Sequence, residues 1–406
     1  MLLLAGSRVD WRAICSASLQ AGGCIRMTTS ALRRRAKEAR RWLFDSCFPL
    51  WAEYGLTPAG LFPEVLSLTH DEVGRELTRV RVQARQTYVF AEAWRLGWKR
   101  DAAARLVQAG VSVVSGPALA PSGLPGRTLN AERGTLADAS ADLYDTAFVL
   151  FALAEAARGP LDPAAPLSAA RQVLGALDQL MRDSEHGGYA EVLPAPTTRL
   201  QNPHMHLLEA CLALHRSEPD AGHLTRAAEI VGLFDTKFTA GSGGLLGEKF
   251  AADWSAPGGD AARIVEPGHQ FEWVWLLHTW SRLAQKPLPE AALRLYTFGV
   301  STLDAAGRAC QEVTRDGAPH DPSRRTWPQT EALKAHLALF EQRGEARFAA
   351  AACRSFDVLM DEFLTEDGGW IDHFAEDGSV LAKDMPASTG YHVVLALAEL
   401  IRIMDA

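Results

Sequence analysis

One pattern returns about every 60 residues along this chain: a run apolar on almost every side, whose first turn alone carries polar or ionisable residues. The openings read RVQARQTY at 81–88, DLYDTAF at 142–148, NPHMHLLEA at 202–210, EPGHQFEW at 266–273, WPQTEALKA at 327–335 and STGYHVVLA at 388–396. From Arg85 through Asp145, His206, His269 and Pro328 to His392 the steps are 60, 61, 63, 59 and 64 residues. A period that regular marks an internal repeat. Between these runs lie segments of a second kind, such as 167–182 and 345–362. There charged residues (Arg171, Asp178 and Arg182; Arg347, Arg354 and Asp357) recur among apolar ones at helical spacing. A helix apolar all round is buried, and one with a charged stripe lies at the surface. Their alternation predicts an all-α chain, an (α/α)6 barrel or toroid of six helical hairpins with a buried inner ring and a wet outer ring.

The loops echo one another as well. KFTAGSGGLLGEKFAADWS at 237–255 resembles EFLTEDGGWIDHFAEDGS at 362–379, with a shorter echo, DSEHGGYAEV, at 183–192. Each Gly-Gly pair permits a tight reversal, and the extended stretch after it predicts short β-hairpin loops at one mouth of the barrel. Gly247 is followed by Glu248 rather than the Lys a phosphate loop requires, so no nucleotide site is expected there.

Composition narrows the partners. With 406 residues, 48% of them hydrophobic, the chain can bury a large core, and a net charge of −8 argues against nucleic acid or an anionic membrane as partner. The cysteines (Cys15, Cys24, Cys47, Cys211, Cys310, Cys353) show no paired spacing, which predicts reduced thiols and a cytoplasmic protein. The apolar start MLLLAGSRVDWR is too short for a signal peptide, and an ordinary helical sequence follows Met27. Residues 1–26 are therefore expected to be a disordered extension and 27–406 a single barrel domain. No later segment reaches about 18 uninterrupted apolar residues, so no membrane span is expected.

If the six first turns meet, they bring together Arg85, Tyr88, Asp145, Asn202, His204, His206, His269, Glu272, Trp327, Gln329, Glu331, Tyr391 and His392. Imidazoles, carboxylates, an arginine and aromatic faces describe a site for a neutral polyhydroxylated ligand. His269 and Glu272 lie at i and i+3, so the carboxylate is placed to orient the imidazole. The same spacing occurs in carboxylate-bundle metal sites, but the partner Glu helices are missing and no metal is expected. His204 and His206 diverge by about 200° on a helix. His206 aligns with His392 when the following apolar runs are overlaid, so it is the one expected to face inward. Arg85, on a buried helix, needs an ion-pair partner (Glu92 or Asp145) or a ligand. Trp327 is a candidate stacking platform, whereas Trp370 is expected in the core.

Four of these motifs, 202–210, 266–273, 327–332 and KDMPASTGYH at 383–392, joined by Arg85 in RVQARQTYVF, resemble the N-acylglucosamine 2-epimerase superfamily, and within it the mannose isomerase-like members. The resemblance implies an (α/α)6 barrel that moves protons at C1 and C2 of a reducing sugar without metal or cofactor. It assigns His392 and His269 as the acid/base pair with Glu272 tuning His269, His206 to ring opening, and Arg85 to the enediolate oxygens. Asn202 and Trp327 match sugar-binding positions, with Tyr88, Gln329 and Glu331 expected beside them. Gly390 stands where many relatives have proline. The expected activity is an aldose–ketose isomerase, D-mannose to D-fructose through a cis-enediolate, acting on a monosaccharide as monomer or homodimer. A 2-epimerase on N-acylglucosamine, mannose/glucose or cellobiose is the alternative. A glycoside hydrolase on the same toroid would need carboxylates, which Asp145, Glu248 and Glu331 offer. A non-catalytic sugar-binding protein is the remaining alternative.

Overall fold

A helix apolar on every side is stable only with neighbours on every side, and a closed ring supplies them. The computed structural model, which describes residues 18–219, 221–240 and 243–405, has this form. The main helices are α1 (Ser18–Trp42), α2 (Val80–Leu96), α3 (Arg100–Val114), α4 (Leu143–Ala157), α5 (Ala164–Leu180) and α6 (Gln201–Ser217). They continue as α7 (His223–Leu233), α8 (Pro267–Leu283), α9 (Glu290–Ser301), α10 (Thr326–Arg343), α11 (Ala346–Val358) and α12 (Gly390–Asp405). The even-numbered helices form the inner ring: each packs on the next, and α12 packs back on α2. The odd-numbered helices lie outside. Each from α3 onward backs the inner helix before it, while α1 packs on α11 and α12. The sixth hairpin is thus split between the two ends of the chain, and the fold is an (α/α)6 barrel.

The helix expected to start after Met27 already begins at Ser18 and continues through a π-helical turn (Leu43–Cys47) into Phe48–Tyr54. The first 17 positions of the expected extension lie outside the described residues.

The strands are only two or three residues long, and several lead directly into inner helices. Hairpins within one loop occur at Thr128–Asn130 with Leu136–Asp138 and at Glu312–Thr314 with Pro319–Asp321. Other pairs bridge separate loops: Thr198–Leu200 with Lys249–Ala251, and Val65–Ser67 with Asp384–Pro386. The last of these joins the first loop to the final one, a second closure of the ring besides α1.

Burial follows the ring. On α4 every residue from Asp145 to Ala156 is buried, and its N-cap Asp142 accepts from the amides of Tyr144 and Asp145. Trp370 lies in the core, stacked on Trp51 at 4.8 Å. α12 with its preceding turn is long and apolar enough to cross a bilayer, yet 78% of its apolar window is buried inside the protein. Outer helix α3 presses close on inner helix α2 at Gly110, where an added Cβ would lie 2.0 Å from Thr87 Oγ1 and 3.0 Å from the Phe62 ring. Thr87 is fixed by donating to Gln83 O at 2.7 Å. Gly110→Ala should therefore destabilise the fold by about 1–3 kcal/mol, read as a lower urea midpoint at constant m-value. An unchanged midpoint would show that this contact is not tight.

Candidate active site

Because all six inner helices run the same way, their first turns meet at one mouth. There they enclose a cavity of about 350 Å³, lined among others by Arg85, Tyr144, Asn202, His206, His269, Glu272, Trp327, Ser388 and His392. Helices α2, α6, α8 and α10 begin without a side-chain cap. The leading N–H groups of α2, α6 and α10 donate to the loop carbonyls of Arg127, Glu248 and Asp372, and the positive ends of four helix dipoles lie at this mouth.

The imidazoles are held from behind by carboxylates. His269 Nδ1 lies 2.8 Å from Glu248 Oε2 and 3.8 Å from Glu266. Burial works against a charge here, but Glu248 and Glu266 outweigh it and push the His269 pKa up to about 10. The ring is therefore an imidazolium at neutral pH. Its Nε2 faces the Asn202 amide at 3.2 Å, and Asn202 Oδ1 is buried without a partner. Turning that amide over places Oδ1 against the Nε2–H of the cation and satisfies both groups.

His392 has the opposite setting. Its Nδ1 donates to Glu331 Oε1 at 2.9 Å, but the other oxygen of Glu331 is held by the buried ammonium of Lys334 at 2.6 Å. Burial, followed by the charges of Arg85 and Lys334, holds His392 well below the usual histidine range. It is a neutral imidazole whose Nε2 has no hydrogen-bond partner among the described residues. His206 is also neutral: it donates from Nδ1 to Glu209 at 3.2 Å, and burial lowers it to about 4.

Arg85 is 6% exposed and lacks a carboxylate partner among the described residues. It donates to Ser388 O at 3.3 Å and to Tyr144 Oη at 2.7 Å, and its guanidinium lies over Phe148 at 4.0 Å. Its Nε is buried and unpartnered. The Trp327 ring sits between two imidazoles, 5.0 Å from His269 and 6.0 Å from His392. Gly268 makes room for it, since a Cβ there would come within 2.4 Å of the indole.

Several residues lie elsewhere than the sequence suggested. Glu272 does not hold His269. It lies 4.0 Å from His206, its Oε1 has no partner, and burial and then Glu331 raise its pKa well above the carboxylate range. Tyr88 does not line this cavity; it packs between Phe151 and Tyr391 and faces the far end of the barrel. Gln329 is spent on backbone, bonding both amide and carbonyl of Ala309 and the carbonyl of Arg325. Glu331 sits behind His392 rather than in the lining. Asp145 is locked to Arg81 at 2.7 Å, so neither it nor Glu92 pairs with Arg85. His204 bonds the Leu200 carbonyl and the Tyr189 amide, a structural position.

Sequence reasoning missed the carboxylates that hold the rings. For Glu248 the one signal in the sequence is its place in a loop leading into the His269 helix. Glu209 and Lys334 each follow a site residue by three positions, the i,i+3 spacing that joins one helix face.

Three groups place potential metal-ligand atoms within 4.8 Å of one another: His206–Glu209–Glu272, Glu248–Glu266–His269 and Glu272–Glu331–His392. In each, the imidazole Nδ1 already bonds or faces a carboxylate, and Lys334 supplies the cation for the third. Protons and an ammonium thus balance the charge that a metal would otherwise neutralise. The carboxylates a hydrolase would use are likewise committed: Asp145 to Arg81, Glu248 to His269, Glu331 to His392 and Lys334.

The family model of N-acylglucosamine 2-epimerase (GlcNAc 2-epimerase) matches residues 69–396. A protein named mannose-6-phosphate isomerase from Rhizobium meliloti (strain 1021) is 37% identical over 383 residues, covering 90% of this chain and 96% of that protein. A D-mannose isomerase from Thermobifida fusca is 28% identical, over 66% of this chain and 70% of its own length. Among solved structures, the cellobiose 2-epimerase from Spirochaeta thermophila DSM 6192 superposes with a TM-score of 0.82 at 24% identity, covering 92% of this chain and 97% of that one.

The carboxylate behind His269 gives a pH test. In Glu248→Gln the ring loses its strongest anionic neighbour and its pKa falls, so the protonated form is lost at lower pH. The alkaline limb of kcat/KM for sugar turnover should move acidward by about 1–3 pH units. A limb that stays in place would separate His269 protonation from turnover.

Proposed function

This chain belongs to the N-acylglucosamine 2-epimerase family, and from that premise we propose an aldose–ketose isomerase that interconverts D-mannose and D-fructose. The observation that carries the reading is a pair of imidazoles in opposite protonation states, charged His269 and neutral His392, flanking Trp327 in one cavity. A catalyst that moves a proton between carbons needs a base that is neutral and an acid that is charged at the same pH.

The steps follow from that pair. Ring opening needs a proton on the ring oxygen and loss of one from the C1 hydroxyl, and His206 with the His269 imidazolium brackets the space where this occurs. His392 Nε2 then takes the C2 proton of the open aldose. The C2–H electrons form the C1–C2 double bond, and the carbonyl electrons move to O1 as an enediolate. Arg85 and the helix N-termini stabilise that oxyanion in a site largely shielded from water. His392 returns the proton to C1, while His269 gives its proton to O1 and takes the one from O2, which becomes the ketose carbonyl oxygen. Epimerisation would use the same intermediate, with His269 giving its proton to C2 from the other face. Asn202 fixes the His269 ring, and Trp327 covers an apolar face of the sugar.

A second reading is a phosphorylated sugar. It is favoured by the name of the 37%-identical relative and by Arg325 at the rim, 3.8 Å from Asp372. Free mannose comes first because Glu266 and Asp372 also line the cavity and would repel a phosphate. Comparing kcat/KM for mannose and mannose 6-phosphate separates the two.

In D2O, NMR of the mannose reaction should show fructose carrying deuterium at C1. Glucose labelled at C2 without fructose would establish the epimerase instead, and absence of exchange would remove the proton-transfer reading. His392→Ala should lower kcat by about 10²–10⁴-fold with the far-UV circular dichroism unchanged; near-normal turnover would move the base elsewhere.

A further inference from the structure

A second cavity of about 350 Å³ opens at the far end of the barrel, where the inner helices finish. It shares no lining residue with the sugar pocket. Tyr88 lines it from the barrel interior. This side chain is 1% exposed, and its hydroxyl has no hydrogen-bond partner. A buried hydroxyl left unpaired is destabilising, so the cavity presents an unmet donor.

The surroundings have the same imbalance. Glu155 receives Arg95 at 2.5 Å, Arg158 at 3.2 Å and Arg216 at 3.3 Å. Arg95 also pairs with Glu92. Across the whole lining, five guanidiniums (Arg40, Arg95, Arg158, Arg216, Arg402) meet four carboxylates (Glu92, Glu155, Glu399, Asp405), and both oxygens of Glu155 are already taken. Donors are left over: Arg216 Nε is buried without a partner. Burial, together with the charges of Arg216 and Arg95, holds Arg158 below the usual arginine range. Trp275 adds an apolar wall. The cavity thus carries one guanidinium more than carboxylates and two buried donors, Tyr88 Oη and Arg216 Nε, without a partner.

We propose that this cavity binds a small oxyanion, a phosphate or a carboxylate, held by Arg158 and Arg216 with the Tyr88 hydroxyl donating from the interior. The rival account is that the arginines only complement the carbonyl ends of the inner helices. Arg95 does so at Glu155 O (3.2 Å) and Arg40 at Leu96 O (3.1 Å). That account leaves the Tyr88 hydroxyl and Arg216 Nε unserved.

Isothermal titration of the full-length protein with inorganic phosphate, and separately with malonate, tests this at constant ionic strength set with chloride. Saturable one-to-one binding of either anion is expected, and which one binds identifies the source. Affinity should fall by about tenfold in Arg158→Gln and in Arg216→Gln, and measurably in Tyr88→Phe. Tyr88→Phe removes one oxygen and nothing else, so it keeps the test open if an arginine variant folds poorly. Arg85→Gln should leave this binding unchanged. No saturable binding of either anion, binding indifferent to the cavity variants, or binding lost with Arg85→Gln would each overturn the site.

Discussion

An imidazole in a dry pocket gives up its proton unless an uncommitted negative charge is buried beside it. That rule divides this site. Glu248 faces His269, and among the described residues its remaining hydrogen bonds come from the Gln201 amide and the Glu266 backbone rather than from a second cation. Its charge is therefore available to hold a proton on the ring. Glu331 also bonds an imidazole, but Lys334 holds its second oxygen. With its charge already matched, it orients His392 without protonating it. Two rings of identical chemistry become an acid and a base through what stands around them: Glu248 and Glu266 beside His269, and burial with Arg85 and Lys334 around His392.

The barrel makes such tuning possible. Each inner helix must be apolar nearly all round to be buried, so ionisable groups are affordable only near the ends. At one end the first turns converge, and the positive ends of their helix dipoles add a field that favours an oxyanion and disfavours protonated His206 and His392. At the other end the helices finish in carbonyls, and arginines gather there. The split sixth hairpin and the strand pair joining first and last loops hold this convergence in register.

How much of this was legible depended on depth along a helix. The repeat placed His206, His269, Arg85 and His392 at one mouth, because a period read from apolar runs fixes which end of each helix is polar. It did not resolve a single turn. Tyr88 is three residues beyond Arg85, about 4.5 Å further along the axis, and that step takes it to the other cavity. Glu272 is likewise one turn past His269 and reaches His206 instead. Gln329 had the right position, but its amide is spent on the loop around Ala309. Glu248 was illegible as a partner, because it lies 21 residues before His269 in a glycine-rich loop whose path only the folded chain reveals.

The central claim is that His269 carries a proton at neutral pH while His392 does not. Nitrogen NMR of ¹⁵N-histidine-labelled protein, assigned with single His variants and titrated from acid to alkaline pH, reads this directly. The account predicts an imidazolium spectrum for His269 persisting until pH approaches about 10, with His392 neutral throughout the physiological range. Both rings titrating together near pH 6.5 would contradict it.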